Sequence, residues 1–239
     1  MSAVRVGRPA LTSRLDGYTV AMVLPVVAAV TGVAYWLLAP ADGLSAHLGA
    51  AVAMTLVMMG PYAVPLGQAV AQAALWHQAA AAVAVVVLTF LAAWCLASLG
   101  LHLVGAALAA ALSPSAAVAA VALGCVVGQL SWQRQARLAA CRFTRPVRPG
   151  RPLRSAAGWG LAAMLRCSRV CAVPMLLMSL APTLLGGLAV TALLWGERFA
   201  ARPALRGGLA VGYLAVAVVL VRSLGAPTPT TFLSGHQHG

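Results

Sequence analysis

The chain has 239 residues, of which 62% are hydrophobic and 8% charged, and its mean hydropathy is +0.93. A soluble domain usually carries about 25% charged residues, and a water-soluble fold of this length has no interior large enough for so much apolar surface, whereas a bilayer accepts it. The net charge of +13 comes entirely from 16 arginines set between apolar runs, against three acids, which is the pattern of membrane topology; it excludes nucleic acid as the partner and points to the lipid bilayer.

A spanning helix needs about 20 apolar residues. The first run covers about 18–39, after a basic stretch 1–17 that holds Arg5, Arg8 and Arg14. At about 21 residues, Tyr18 to Leu38 exceeds the h-region of a signal peptide, so we read it as a retained first helix. It ends at Pro40-Ala41-Asp42-Gly43, a turn sequence. The second helix covers about 46–68 and contains Pro61 and Pro65, which predict a kink in its second half. The third runs from about 79 to Gly100, followed by a further helical stretch to the Ser113-Pro114-Ser115 break. The fourth covers about 116–132 and continues as a polar helix toward Arg142. These four make a first transmembrane half over 18–133.

Residues 134–156 hold seven arginines, three prolines and no acid. This is a cytoplasmic loop by the positive-inside rule, and it suits anionic headgroups. A cytoplasmic N-terminus followed by four spans returns the chain to the same side, so the two signals agree. The second transmembrane half, 157–224, holds two or three helices. Residues 157–199 read either as one long kinked helix or as a hairpin broken near Ala181-Pro182 and Gly186-Gly187, and a last span covers about 207–223. The polar tail is 225–239. The fold class is therefore all-α, a polytopic membrane helix bundle with six or seven transmembrane helices. Seven keeps Arg198, Arg202 and Arg206 on the cytoplasmic side with the large loop.

Catalytic patterns are absent. With Asp16, Asp42 and Glu197 the three acids, carboxylate chemistry has little to work with, and the expectation is a protein that is not an enzyme. The chemistry lies in sulfur. Met164, Cys167, Cys171, Met175 and Met178 are spaced 3, 4, 4 and 3 apart, one face of a helix. Thiolate and thioether are soft ligands suited to Cu(I), and the neighbouring Arg166 and Arg169 favour thiolate. The same residues would also serve as core filler and small packing groups, and spacing alone leaves both readings standing. A second run, Met54 to Pro65, places Met54 and Met58 on one face with Met59 beside them. Cys141 borders the same basic loop as Cys167 and Cys171, so three thiols could converge there. His47, His77 and His102 read as single interfacial residues near helix ends.

Taken together these runs resemble the bacterial domain-of-unknown-function family 2182, predicted metal-binding integral membrane proteins described as copper chaperones. The family's Met-x-x-Ala-Met-Met-x-Pro-x-x-x-Pro run is matched by Met54, Met58, Met59, Pro61 and Pro65, with Val57 in place of Ala. Trp94 matches a Trp in the next helix. Gln129, Leu130, Leu138, Cys141 and Arg142 match its next run, with Ser131 and Arg134 conservative, Trp132 in place of Pro and Arg137 in place of a Cys. Its Cys-x-x-Cys-Cys-Trp-x-x-Met run is matched by Cys167, Cys171 and Met175, with Val170 and Ala172 departing; Ala181-Pro182 stands where the family has Met-Asn, and Glu197-Arg198 matches Glu-Lys. The likeness covers roughly 45–220. It implies a multi-pass protein of the bacterial cytoplasmic (inner) membrane that binds copper, as Cu(I), through Met54, Met58, Met59, Cys141, Cys167, Cys171, Met175 and Met178. The metal would pass to a partner cuproprotein or across the membrane. The alternative, carried by abundant small residues such as Ala79 to Ala82, is a non-catalytic anchor or scaffold subunit of a larger complex with no bound metal.

Overall fold

A computed structural model describes residues 9–38, 44–75, 78–131, 133, 151–180, 184–199 and 205–225. Among them the chain is all-helical. Seven helices follow in order: α1 (Pro9–Leu38), α2 (Leu44–Ala73), α3 (Ala79–Leu112), α4 (Pro114–Leu130), α5 (Pro152–Leu180), α6 (Leu184–Phe199) and α7 (Leu205–Gly225). Four of them contain stretches long and apolar enough to cross a membrane: Asp16–Tyr35, Gly49–Ala73, Ala79–Leu112 and Pro152–Leu180. Pro114–Leu130, Leu185–Glu197 and Gly207–Arg222 are shorter apolar helices. By length and composition, these four helices are those of a multi-pass membrane protein.

Several boundaries differ from the sequence reading, each for a physical reason. α3 does not pause at Gly100. A Cβ built there meets nothing within 4 Å, so this glycine marks a side open to lipid rather than a helix end. The helix runs 34 residues, about 51 Å at 1.5 Å per residue. It stops at Ser113, whose φ of 82° is the one non-glycine positive value among the described residues. Pro114 follows at the first turn of α4, where its missing N–H removes no helical bond. α5 begins at Pro152, inside the stretch read as loop. α5 and α6 are separate helices, the first ending at Leu180 and the second starting at Leu184. α2 keeps Pro61 and Pro65 inside one helix, and α5 does the same with Pro174.

One core joins all seven helices, from Ala21 on α1 to Leu220 on α7. α3 is central, packed by α1, α2 and α5, while α4 lies against α5 and α7, and α6 bridges α2, α5 and α7. Close approach rests on glycine. A Cβ on Gly32 would stand 2.5 Å from the Ala53 carbonyl oxygen, on Gly60 2.9 Å from that of Pro25, and on Gly160 2.7 Å from that of Val86. These positions let α1 meet α2, and α5 meet α3, nearly backbone to backbone. The outer surface is apolar as well: Leu96 is 72% exposed and Leu185 81%. A soluble monomer rarely shows apolar patches beyond a few hundred Å²; in lipid this surface is solvated.

Candidate metal centre

Of the five sulfur residues of α5, Cys167, Cys171, Met175 and Met178 are buried in the core and Met164 is partly buried against it. Cys167 and Cys171, one helical turn apart, have their Sγ atoms 3.4 Å from each other in a thiol–thiol hydrogen bond, and both are buried. Two thiolates on one tetrahedral ion at about 2.3 Å each stand about 3.8 Å apart. The pair is therefore a few tenths of an ångström from a spacing that two sulfurs can share across a metal. Arg166 is half-buried and turns its Nε to the Ala162 carbonyl one turn back, at 3.2 Å; Arg169 is exposed. Side chains on a helix lean toward its N-terminus, so both guanidinium stems reach toward the Pro152 end of α5.

Pro174, between Cys171 and Met175, supplies no N–H, so the Val170 carbonyl lacks its helical donor. Beyond it the two methionines part. Met178 points toward α6, its Cε 4.0 Å from where a Cβ on Gly187 would stand. Met175 faces a small cavity between α2, α3 and α5. The walls of this cavity are Ala51, Met54 and Thr55 of α2, Ser98, Leu101 and His102 of α3, and Met175 and Ser179 of α5. Folding thus brings Met54 and Met175, 121 positions apart in the chain, to one space.

The cavity leaves about 10 Å³ for the centre of a water-sized sphere, close to the lower limit for one water. Its hydroxyls donate to backbone. Thr55 Oγ1 donates to the Ala51 carbonyl at 2.9 Å. Ser98 Oγ donates to Cys95 at 2.9 Å, with Ala51 at 3.5 Å. Ser179 Oγ donates to Leu176 at 2.8 Å, with Leu101 at 3.3 Å. With their protons committed, these oxygens retain acceptor lone pairs. Neutral thioethers, an imidazole and hydroxyl oxygens make a cation-tolerant lining without a fixed negative charge.

Of the residues singled out in the sequence, Cys167 and Cys171 pair, and Met54 and Met175 share the cavity. Met58 and Met59 are enclosed in the same core and do not line it. Cys141, and with it the convergence of three thiols, lies outside the described residues. Among the described residues no three His, Cys, Asp or Glu side chains gather as a metal cluster, so a site here depends on thioether or on the two thiols. Sequence reasoning missed Thr55, Ser98 and Ser179, and read His102, which stands on the cavity wall, as a single interfacial residue. The signal was present: Trp94, Ser98 and His102 recur every fourth residue, one face of a helix, once α3 is carried through Gly100.

A second polar contact joins the other end of the bundle. Gln129 Nε2 of α4 donates to Glu197 Oε1 of α6, and both side chains are buried. A scan of protein-family models, a search of curated proteins and a search of solved structures each returned no match for this chain.

Proposed function

We propose that this chain is an integral membrane metal-handling protein that binds Cu(I) through cysteine and methionine side chains and hands it to a cuproprotein or across the membrane, without catalysing a reaction. The observation that carries the reading is the Cys167–Cys171 pair at 3.4 Å, in line along α5 with Met175 on the cavity wall. Soft sulfur donors in a dry interior select Cu(I) over hard cations, which demand oxygen ligands and keep their water. The resemblance to the family of predicted copper chaperones supports the same assignment on the same residues.

The orientation belongs to the proposal. We take all seven helices to cross a bacterial cytoplasmic membrane, with the N-terminus and the arginine-rich loop inside. The Gln129–Glu197 contact supports seven crossings, because it sets the C-terminal ends of α4 and α6 side by side, as two parallel spans separated by an antiparallel α5 require. α4 and α6, at 17 and 16 residues, reach about 25 Å at 1.5 Å per residue, and local bilayer thinning accommodates the mismatch at small cost.

The test is copper retention by the full chain purified in mild detergent. Cys167→Ser combined with Cys171→Ser releases the bound copper if the assignment is right; unchanged copper in the double variant defeats it. The anchor or scaffold reading has one feature in its favour, an apolar groove of about 770 Å³ between α1, α2 and α6, walled by Val30, Val33, Leu188 and Trp195 among others. It requires a stoichiometric protein partner and a metal-free complex.

A further inference from the structure

The mid-helix thiol pair leaves a second group of donors unexplained, the wall of the cavity between α2, α3 and α5. We propose that Met54, Met175 and His102 form a second, charge-neutral station for a single dehydrated monovalent soft cation, Cu(I) or Ag(I), beyond the Cys167–Cys171 pair. The proposal rests on the Cu(I) reading above and extends it from one site to two.

Three observations carry it. The first is donor chemistry: two thioethers and an imidazole, each from a different helix, line one space, and these ligand types suit Cu(I). The second is size. The space is at the lower bound for one water, so it admits an ion held directly by side chains and excludes a hydrated Mg²⁺ or Ca²⁺. The third is the surrounding polarity. Thr55, Ser98 and Ser179 border the cavity with their protons turned to carbonyls one turn back on their own helices, as helical hydroxyls commonly do, and their oxygens keep lone pairs that can face a positive charge.

Position gives the station a role. Met175 lies one turn beyond Cys171 on α5, with Pro174 between them. The cavity is built from the first half of α2 and the second half of α3 and α5, toward the end of α5 opposite Arg151 and Arg154. Thiolates hold Cu(I) with compensating charge; thioethers and a neutral imidazole hold it without. An ion moved from the pair to the cavity is therefore more weakly bound and easier to release. The step exchanges ligands on the ion and changes no oxidation state: sulfur–copper bonds to Cys171 and Cys167 break as bonds to Met175, Met54 and His102 form, and the vacated thiolates keep their charge or take up a proton.

The experiment is anaerobic Cu(I) titration of the full detergent-purified chain against a competing chelator, with X-ray absorption on the loaded samples. Wild type is expected to bind two equivalents, one at least tenfold more tightly than the other. Cys167→Ser with Cys171→Ser loses the tight equivalent and keeps the weak one, whose absorption spectrum contains both sulfur and nitrogen scatterers. Met54→Leu with Met175→Leu, a near volume-conserving change, keeps the tight equivalent and loses the weak one. A single equivalent in wild type, absent from the cysteine variant and unchanged in the methionine variant, overturns the second station while leaving the Cu(I) reading in place. No Cu(I) bound by wild type overturns both. The nitrogen signal needs no substitution at His102, so a poorly folding His102 variant does not decide the matter; an all-sulfur spectrum in the cysteine variant removes His102 from the site.

Discussion

Glu197 is one of three acidic side chains in the chain, and folding buries it against the amide of Gln129. A buried polar group that loses its partner costs about 1–3 kcal/mol. Glu197 has further contacts, so Gln129→Leu is expected to lower stability by no more than about that amount, read as a lower midpoint of unfolding in detergent. Glu197→Gln, which keeps an acceptor oxygen of the same reach, is expected to lose less. Interhelical hydrogen bonds in membranes average nearer 0.6 kcal/mol, so equal midpoints for Gln129→Leu and wild type would mean that this contact contributes nothing measurable to stability. The partner 68 positions away was not legible, because a lone glutamine in an apolar helix gives no sign of which helix it faces.

At the scale of the helix, the decisive residues are small ones. Gly160 of α5 sits where a Cβ would stand 2.7 Å from the Val86 carbonyl and 3.0 Å from Thr89 Cβ on α3. Backbone, unlike a flexible side chain, cannot step aside. Gly160→Val is expected to push α5 away from α3 and destabilise by about 1–3 kcal/mol, the usual cost of overpacking; Gly158→Val, which meets nothing within 4 Å, serves as the matched control and leaves the melting temperature within a degree or two. The existence of most helices was legible, since runs of about 20 apolar residues admit few alternatives. Their ends were less so. Gly100 reads as a stop in a soluble helix but is ordinary in a membrane one, and dividing the helix there from the helical stretch that follows it concealed the Trp94–Ser98–His102 face. The Ser113-Pro114 break was legible because proline restricts the residue before it, and Ser113 is where α3 stops.

For the whole molecule, composition placed the chain in the membrane, but it could not say which surface faces the core. On α3, Leu91 is 5% exposed and Leu96 72%, with the same side chain inside and out. Where lipid and core are equally apolar, hydrophobic periodicity carries no direction, and the assembly of Met54 with Met175 becomes visible only in three dimensions. Topology is open to a direct test. In a cysteine-free background, Arg148→Cys is expected to resist a membrane-impermeant maleimide in intact cells and to react once the membrane is opened. Reaction from the outer face of sealed cells would invert the orientation.

The account turns on whether sulfur in this bundle holds copper. Elemental analysis of the full chain, purified in mild detergent without chelator from copper-replete cells, measures that without any substitution. The account predicts copper as the dominant metal at about one to two atoms per chain, the number of sites proposed above. Protein that is metal-free yet carries a stoichiometric protein partner would contradict it, and would make the buried sulfurs packing groups of a membrane scaffold.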